Sequence, residues 1–299
     1  MWAELFGRGI VATQEDFGAQ CEPPTHPELL DWLAVEFQQG ADAGHAWDMK
    51  RLLKLIVTSA AYRQSSRVTP ELLRRDPYNL LVARGPRFRL PAETIRDNAL
   101  AVAGLLNLKQ GGPPVYPPQP EGIWRVTGEV DNKYYTSSGE DRYRRGLYTI
   151  WRRSAPYPSF VNFDAPERSS CVVQRPRTNT PLQALTLLND PVYVEAAGAL
   201  ARRITNEAPS ADDAGRVEFG FGLVVGRKPS NEEQAVLREV LHQELPRYQA
   251  DPATTKKLLA AAHLDQAKPA MNEAAAAEWA AWYHVAEILL NLDETITKQ

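Results

Sequence analysis

The sequence predicts a mainly α fold: a multi-helix globular domain with one small β element near residues 144–164. Apolar residues recur at spacings of three and four in segment after segment, which is the period of an amphipathic helix. Ser, Thr or Asp stands just ahead of several of those segments, sometimes with Pro next, which is how helices open. Only one run is distinctly β-prone. Regular alternation of strands and helices is missing, as is a glycine-rich phosphate loop, and both absences count against a doubly wound α/β protein.

Each element follows from its own residues. Thr25 and Glu28 have capping-box spacing ahead of Leu29, Leu30, Leu33 and Phe37, predicting a helix over about 26–39. Asp48 caps the next, with Trp47 placed to staple onto Leu52 and a stripe through Leu55 and Ile56 to about Arg63. Pro91 opens a third helix with Ile95, Ala99, Val102 and Leu106 on one side. The stretch GGPPVYPPQPEG, residues 111–122, lacks backbone donors at its five prolines and reads as an ordered loop. RRGLYTIWRRSAP, residues 144–156, is the strand candidate, and any sheet is expected within 110–175.

Thr180, Pro181 and Gln183 have the form of a capped helix start, and Leu182, Leu185 and Leu188, with Leu187 beside them, give that helix a buried side. Asn189-Asp190-Pro191 stops it and restarts another through Ala197, Leu200 and Ile204. Ser230 and Glu233 box a further helix, residues 246–272 read as a polar linker, and Trp279 to Leu290 form a terminal apolar helix. Residues 1–208 are expected as a helical core with the Pro-rich loop and the Arg-rich motif. Residues 209–299 are expected as a C-terminal helical part packed on it in the same domain.

Composition narrows the function. With 299 residues, 43% of them hydrophobic, the chain can bury a substantial core. A net charge of −3 argues against general affinity for nucleic acid or anionic membrane. The most apolar stretch, WAAWYHVAEILLNL, is too short for a membrane span, which needs about 20 apolar residues. No secretory signal is legible at the start. Two cysteines and five scattered histidines offer no metal-ligand pattern and no haem-attachment motif, so neither a metal nor a cofactor is expected on this chain.

Charge is concentrated, however. Residues 140–180 hold eight arginines and four acids, a net +4. Within and beside RPRTNT, the residues Arg152, Arg153, Arg168, Arg175, Arg177, Thr178 and Asn179 converge in sequence on the Thr180 helix start. A helix N-terminus favours an anion such as sulfate, phosphate or carboxylate, and arginine forks add bidentate donors. The same residues suit an internal network in which Asp164, Glu167 and Asp190 pair with the arginines and fix loop geometry. Tyr134, Tyr135, Tyr143, Trp151 and Tyr157 offer either a sugar-stacking surface or core. Arg84, Arg87 and Arg89 offer a contact for an anionic polymer or a solvated loop. Two function classes follow. One is a noncatalytic binding or assembly domain whose exposed surface serves an anionic glycan; the other is a hydrolase or lyase acting on such a glycan, with Asp164 or Glu167 as acid or base.

In order along the chain stand LFGRG (5–9), CEPPTHPELLDWLA (21–34), LIVTSAAYRQSS (55–66), IRD (95–97), FDAPER (163–168), RPRTNTPLQALTLLNDP (175–191), GRKP (226–229) and LLNLDE (289–294). Together they resemble the planctomycete-specific domain of unknown function at the C-terminal end of large secreted cytochrome-associated proteins. The resemblance covers essentially the whole chain. It implies export to an extracytoplasmic setting, upstream modules of a longer polypeptide as partners, and c-type haem on one of those modules. It also implies that Met1 is internal to a longer chain, leaving the first helix truncated. That family has glycine at the position of Cys21, so no disulfide to Cys171 is expected, and it supplies no catalytic residues.

Overall fold

The computed structural model describes residues 1–40, 44–124, 134–264 and 272–298. The chain is mainly α-helical, as expected, with thirteen α-helices and a single two-stranded sheet among the described residues. It divides into two compact units: residues 1–89 with 172–174 and 297–299, and residues 90–171 with 175–296. No helix among the described residues is long and apolar enough to cross a membrane.

The first unit contains α1 (Trp2–Phe6), α2 (Pro27–Gln39), α3 (Met49–Thr58), α4 (Pro70–Arg75), β1 (Phe88–Arg89) and β2 (Thr297–Lys298). Phe6, Leu52 and Ile56 form its small core, with Leu33, Phe37 and Tyr62 packed around them. The Trp2 ring stacks on Phe6 at 4.1 Å. Gly7 ends α1 at φ 78°, and a Cβ there would lie 2.8 Å from the Phe88 ring, so only glycine lets the turn meet β1. β2 runs antiparallel to β1, pairing Phe88 with Lys298 and Arg89 with Thr297. The Lys298 ammonium donates to the Leu5 carbonyl and lies 4.2 Å from the Tyr62 ring centroid.

Asp48 caps α3 as its sequence suggests, accepting from the Arg51 N–H at 3.0 Å. Two neighbouring expectations need correcting. Thr25 forms no capping box, because its hydroxyl donates to the Ile10 carbonyl at 3.2 Å and leaves His26 as an uncapped N-cap. Trp47 is no staple: it lies at φ 62° and packs edge-on against Phe37.

The second unit contains α5 (Ala92–Val102), α6 (Pro158–Asn162), α7 (Pro181–Asn189), α8 (Pro191–Glu207), α9 (Asp213–Val225), α10 (Asn231–Ala250), α11 (Pro252–Ala261), α12 (Glu273–Asn291) and α13 (Asp293–Ile296). α8 and α12 form its centre, burying Ala196, Leu200 and Ile204 against Trp282, Val285 and Leu289. Each large side chain so buried contributes about 1.5–3 kcal/mol. The alanine-rich faces let the helices approach closely. Gly198 extends that economy of volume, since a Cβ there would meet the Ala262 methyl at 2.7 Å.

Two further corrections belong to this unit. The stretch 246–272 is not simply a linker: α10 continues to Ala250 and α11 follows, burying Tyr248, Thr255 and Leu259, while residues 265–271 lie outside the described residues. RRGLYTIWRRSAP forms no strand. It holds a 3-10 turn at Gly146–Tyr148 and two isolated parallel bridges, Asn107 to Arg144 and Val115 to Thr149. The prolines opposite it supply no ladder donors, and the buried Arg144 guanidinium takes the carbonyls of Lys109, Gly111 and Pro113 instead. The sheet lies at β1 and β2, outside the expected 110–175 window.

Candidate ligand-binding site at the mouth of α7

α7 begins where expected, with Thr180 as N-cap and Pro181 first. Its capping is not the expected box. The Thr180 side chain accepts no N–H of the first turn, and Gln183 bends away, its Nε2 donating to Thr178 Oγ1 at 3.1 Å. Gln183 is 2% exposed and its Oε1 has no partner. The mouth of α7 thus keeps N–H groups that no side chain of the N-cap satisfies, together with the positive end of the helix dipole.

The buried side agrees with expectation only at Leu187, and in part at Leu188. α7 buries Gln183, Thr186 and Leu187, while Leu182 and Leu185 are each 53% exposed. Polar anchoring explains the rotation: Thr186 Oγ1 donates to the Leu182 carbonyl and accepts from Asn162 Nδ2 at 2.9 Å, tying α7 to α6. Every residue from 167 to 182 is exposed.

The site residues read from sequence separate into several small groupings. Asp164, at φ 60°, accepts from the Thr178 N–H at 2.7 Å and from its hydroxyl at 2.9 Å. Arg175 pairs with Glu93 of α5 at 2.7 Å. The Arg168 guanidinium lies 4.7 Å from the Trp151 ring centroid, and Arg152 lies 4.9 Å from that of Trp124. Arg153, Glu167, Arg177 and Asn179 are exposed. Asp164 and Thr178 are therefore brought together, whereas Arg152, Arg168 and Arg175 are spread over two tryptophans and α5.

The aromatic residues divide in the same way. Tyr157 is buried and donates to the Pro118 carbonyl at 3.1 Å, and Tyr134 bonds the Pro117 carbonyl. Tyr143 donates to Glu195 at 2.5 Å. Tyr135 remains open to solvent. Arg84 is not a solvated cation: it is buried and donates to the carbonyls of Asp76 and Pro77. Cys21 and Cys171 are both free.

Two acids of α8 and its N-cap are buried, and one of them, Glu195, was not singled out from sequence. Glu195 lies within α8 and takes the Arg142 Nε–H at 2.9 Å besides the Tyr143 hydroxyl, and burial with this bond pushes the Tyr143 phenol up to about 12. Its signal was legible, because it is the lone charge in PVYVEAAGALA. Asp190 was read as a helix start, which it is, accepting from the Val192 N–H at 3.0 Å. Burial pushes its carboxyl up to about 6, against the opposing pull of that N–H and of Arg96.

These features define a mainly α-helical domain with an exposed arginine-bearing segment entering an uncapped helix start. The chain belongs to the family described as Protein of unknown function (DUF1553), designated PSD1, which it matches over residues 1–241. No curated protein and no solved structure matches the chain.

Proposed function

We propose that the chain is a noncatalytic binding or assembly domain of a larger, exported, cytochrome-associated polypeptide. Its binding face is the mouth of α7, and its ligand is an anionic group, with a sulfated glycan as the best-fitting class. One observation carries the reading: α7 turns Leu182 and Leu185 to solvent beside an uncapped N-terminus and an exposed segment bearing Arg177 and Asn179. The N–H groups and arginine suit sulfate or carboxylate oxygens, and the leucines suit the apolar faces of sugar rings or of a neighbouring module. Export, cytochrome-bearing upstream modules and their haem are supported by the motif resemblance alone.

The alternative, a hydrolase or lyase using Asp164 or Glu167, is less well supported. Asp164 already accepts two hydrogen bonds from Thr178 and braces the segment ahead of α7. The test is thermal melting at low ionic strength with sulfate, with a sulfated oligosaccharide and with its desulfated counterpart. Both sulfated ligands are expected to raise the melting temperature by a few degrees, an increase lost in Arg177→Gln and suppressed by added chloride. An unchanged melting temperature across all three ligands overturns the reading.

A further inference from the structure

The loop from α4 to β1 is heavily bonded to itself. Asp76, 5% exposed, accepts the N–H groups of Leu80 at 2.7 Å and Leu81 at 2.8 Å. Arg84 donates to the carbonyls of Asp76 at 2.8 Å and Pro77 at 2.9 Å. Asn79 Nδ2 donates to the Arg84 carbonyl at 2.9 Å, and Gln64 Nε2 reaches the Val82 carbonyl at 3.0 Å. Asn79 and Val82 both adopt left-handed backbone, at φ 53° and 52°. For a β-branched residue that conformation persists only where its surroundings over-determine it. What this scaffold presents to solvent is Tyr78, 75% exposed, and Leu81, 68% exposed. A tyrosine and a leucine held outward on a rigid loop have the form of a preorganised protein-binding anchor.

Charge specifies the partner further. Residues 60–89 hold seven arginines and two acids, a net +5 in a chain of −3. Arg63, Arg67, Arg74 and Arg75 are exposed. The fitting occupant is an apolar slot in acidic surroundings, and the chain carries one. A groove of about 620 Å³ lies on α9, lined by Gly215, Phe219, Gly222 and Leu223 together with Glu218, Arg227 and Lys228. Both of its lining cations are already engaged, Lys228 with Glu218 and Arg227 with Glu233 and Glu294. Residues 207–244 hold eight acids and four bases, a net −4. A tyrosine and a leucine held together on a rigid loop present more apolar surface than a charged polymer alone would use, which favours protein as the occupant.

We propose that the Tyr78 and Leu81 loop of one copy docks in the α9 groove of a second copy. Leu81 and the Tyr78 ring fill the apolar floor, and the phenol O–H donates to Glu218. Loop and groove are different surfaces, so the contact is heterologous. Each pair retains one unused loop and one unused groove, and association continues into rings or open chains instead of stopping at a two-fold dimer. Opposite charge speeds encounter and makes association weaken with salt. The contact needs no ligand at α7.

Sedimentation velocity of the full chain over a concentration series tests it, with the double variant Tyr78→Ser/Leu81→Ser and the groove variant Gly222→Leu. Both loop side chains are largely exposed, and a Cβ at Gly222 meets nothing within 4 Å, so the folded state should persist and is checked by melting. Should Gly222→Leu fail to fold, Glu218→Lys replaces it. Wild type is expected to grow beyond a dimer and to dissociate at high salt, and each variant to weaken association roughly tenfold or more. An equimolar mixture of loop and groove variants should form a dimer and stop there, because one intact loop and one intact groove remain. Leu182→Ser/Leu185→Ser should leave association unchanged, which separates this contact from the α7 surface. A wild type that stays monomeric at every concentration, association indifferent to both variants, or a mixture that forms no dimer overturns the proposal.

Discussion

Asp190 combines two demands on one carboxyl: it caps α8 and it is buried. Its folded-state value near 6 exceeds the unfolded 3.8, so the folded state binds this proton more tightly. The stabilisation is fully present below about pH 4 and is lost as pH rises through about 6, by an amount on the order of 3 kcal/mol. Asp190→Asn keeps an oxygen for the Val192 N–H and removes the titration. Melting curves from pH 4 to 7 should fall for wild type and flatten at this step for the variant; parallel curves would contradict the assignment. Arg175 shows the opposite regime. Its partner Glu93 is partly open to water, so Arg175→Gln is expected to cost no more than about 1 kcal/mol in denaturant titration. A loss several times larger would mean that the pair anchors the segment more firmly than its exposure suggests.

α7 shows where periodicity carries an element and where it fails. The boundaries at Pro181 and Asn189 were legible because N-cap and proline chemistry is local. The buried side was not legible, since Gln183 and Thr186 face inward for hydrogen bonds to Thr178, Asn162 and their own helix, partners that no spacing rule names. Leu187→Ala should therefore cost about 2–5 kcal/mol in urea unfolding, whereas Leu182→Ser/Leu185→Ser should shift stability by less than about 1 kcal/mol. Comparable losses from both would restore the leucine face as core. The caps divide likewise. Asp48, Asp190 and the Ser230 with Glu233 box bond backbone within three residues, and all were readable from sequence. Thr25 and Gln183 have the right spacing but spend their polar atoms on Ile10 and Thr178. The predicted strand failed for a related reason: Arg144 looks like an exposed cation in sequence, yet it is buried and takes the carbonyls a ladder would have used.

At the scale of the whole molecule, helical content was legible because it sums many local signals, while the division after Arg89 was not, because the linking chain changes neither composition nor pattern there. The same distribution explains the candidate site: the arginine-rich window was visible at once, but its tryptophan and Glu93 partners are contacts of the folded chain. The two units differ greatly in buried apolar material, a cluster of three buried side chains among the described residues of the first against the large α8 and α12 centre of the second. Amides of α8 and α12 are expected to exchange with deuterium slowest and those of α1 to α4 well before them, the first unit opening without global unfolding. Uniform protection across both would contradict this. The pairing of β2 with β1 adds a constraint in time. Thr297 and Lys298 leave the ribosome roughly 200 residues after Arg89, and domains otherwise tend to settle in the order of their synthesis. The first unit must therefore wait, one strand short and with Tyr62 uncovered by Lys298, until translation has passed through the second, so an interruption of synthesis within the second unit leaves the first incomplete as well.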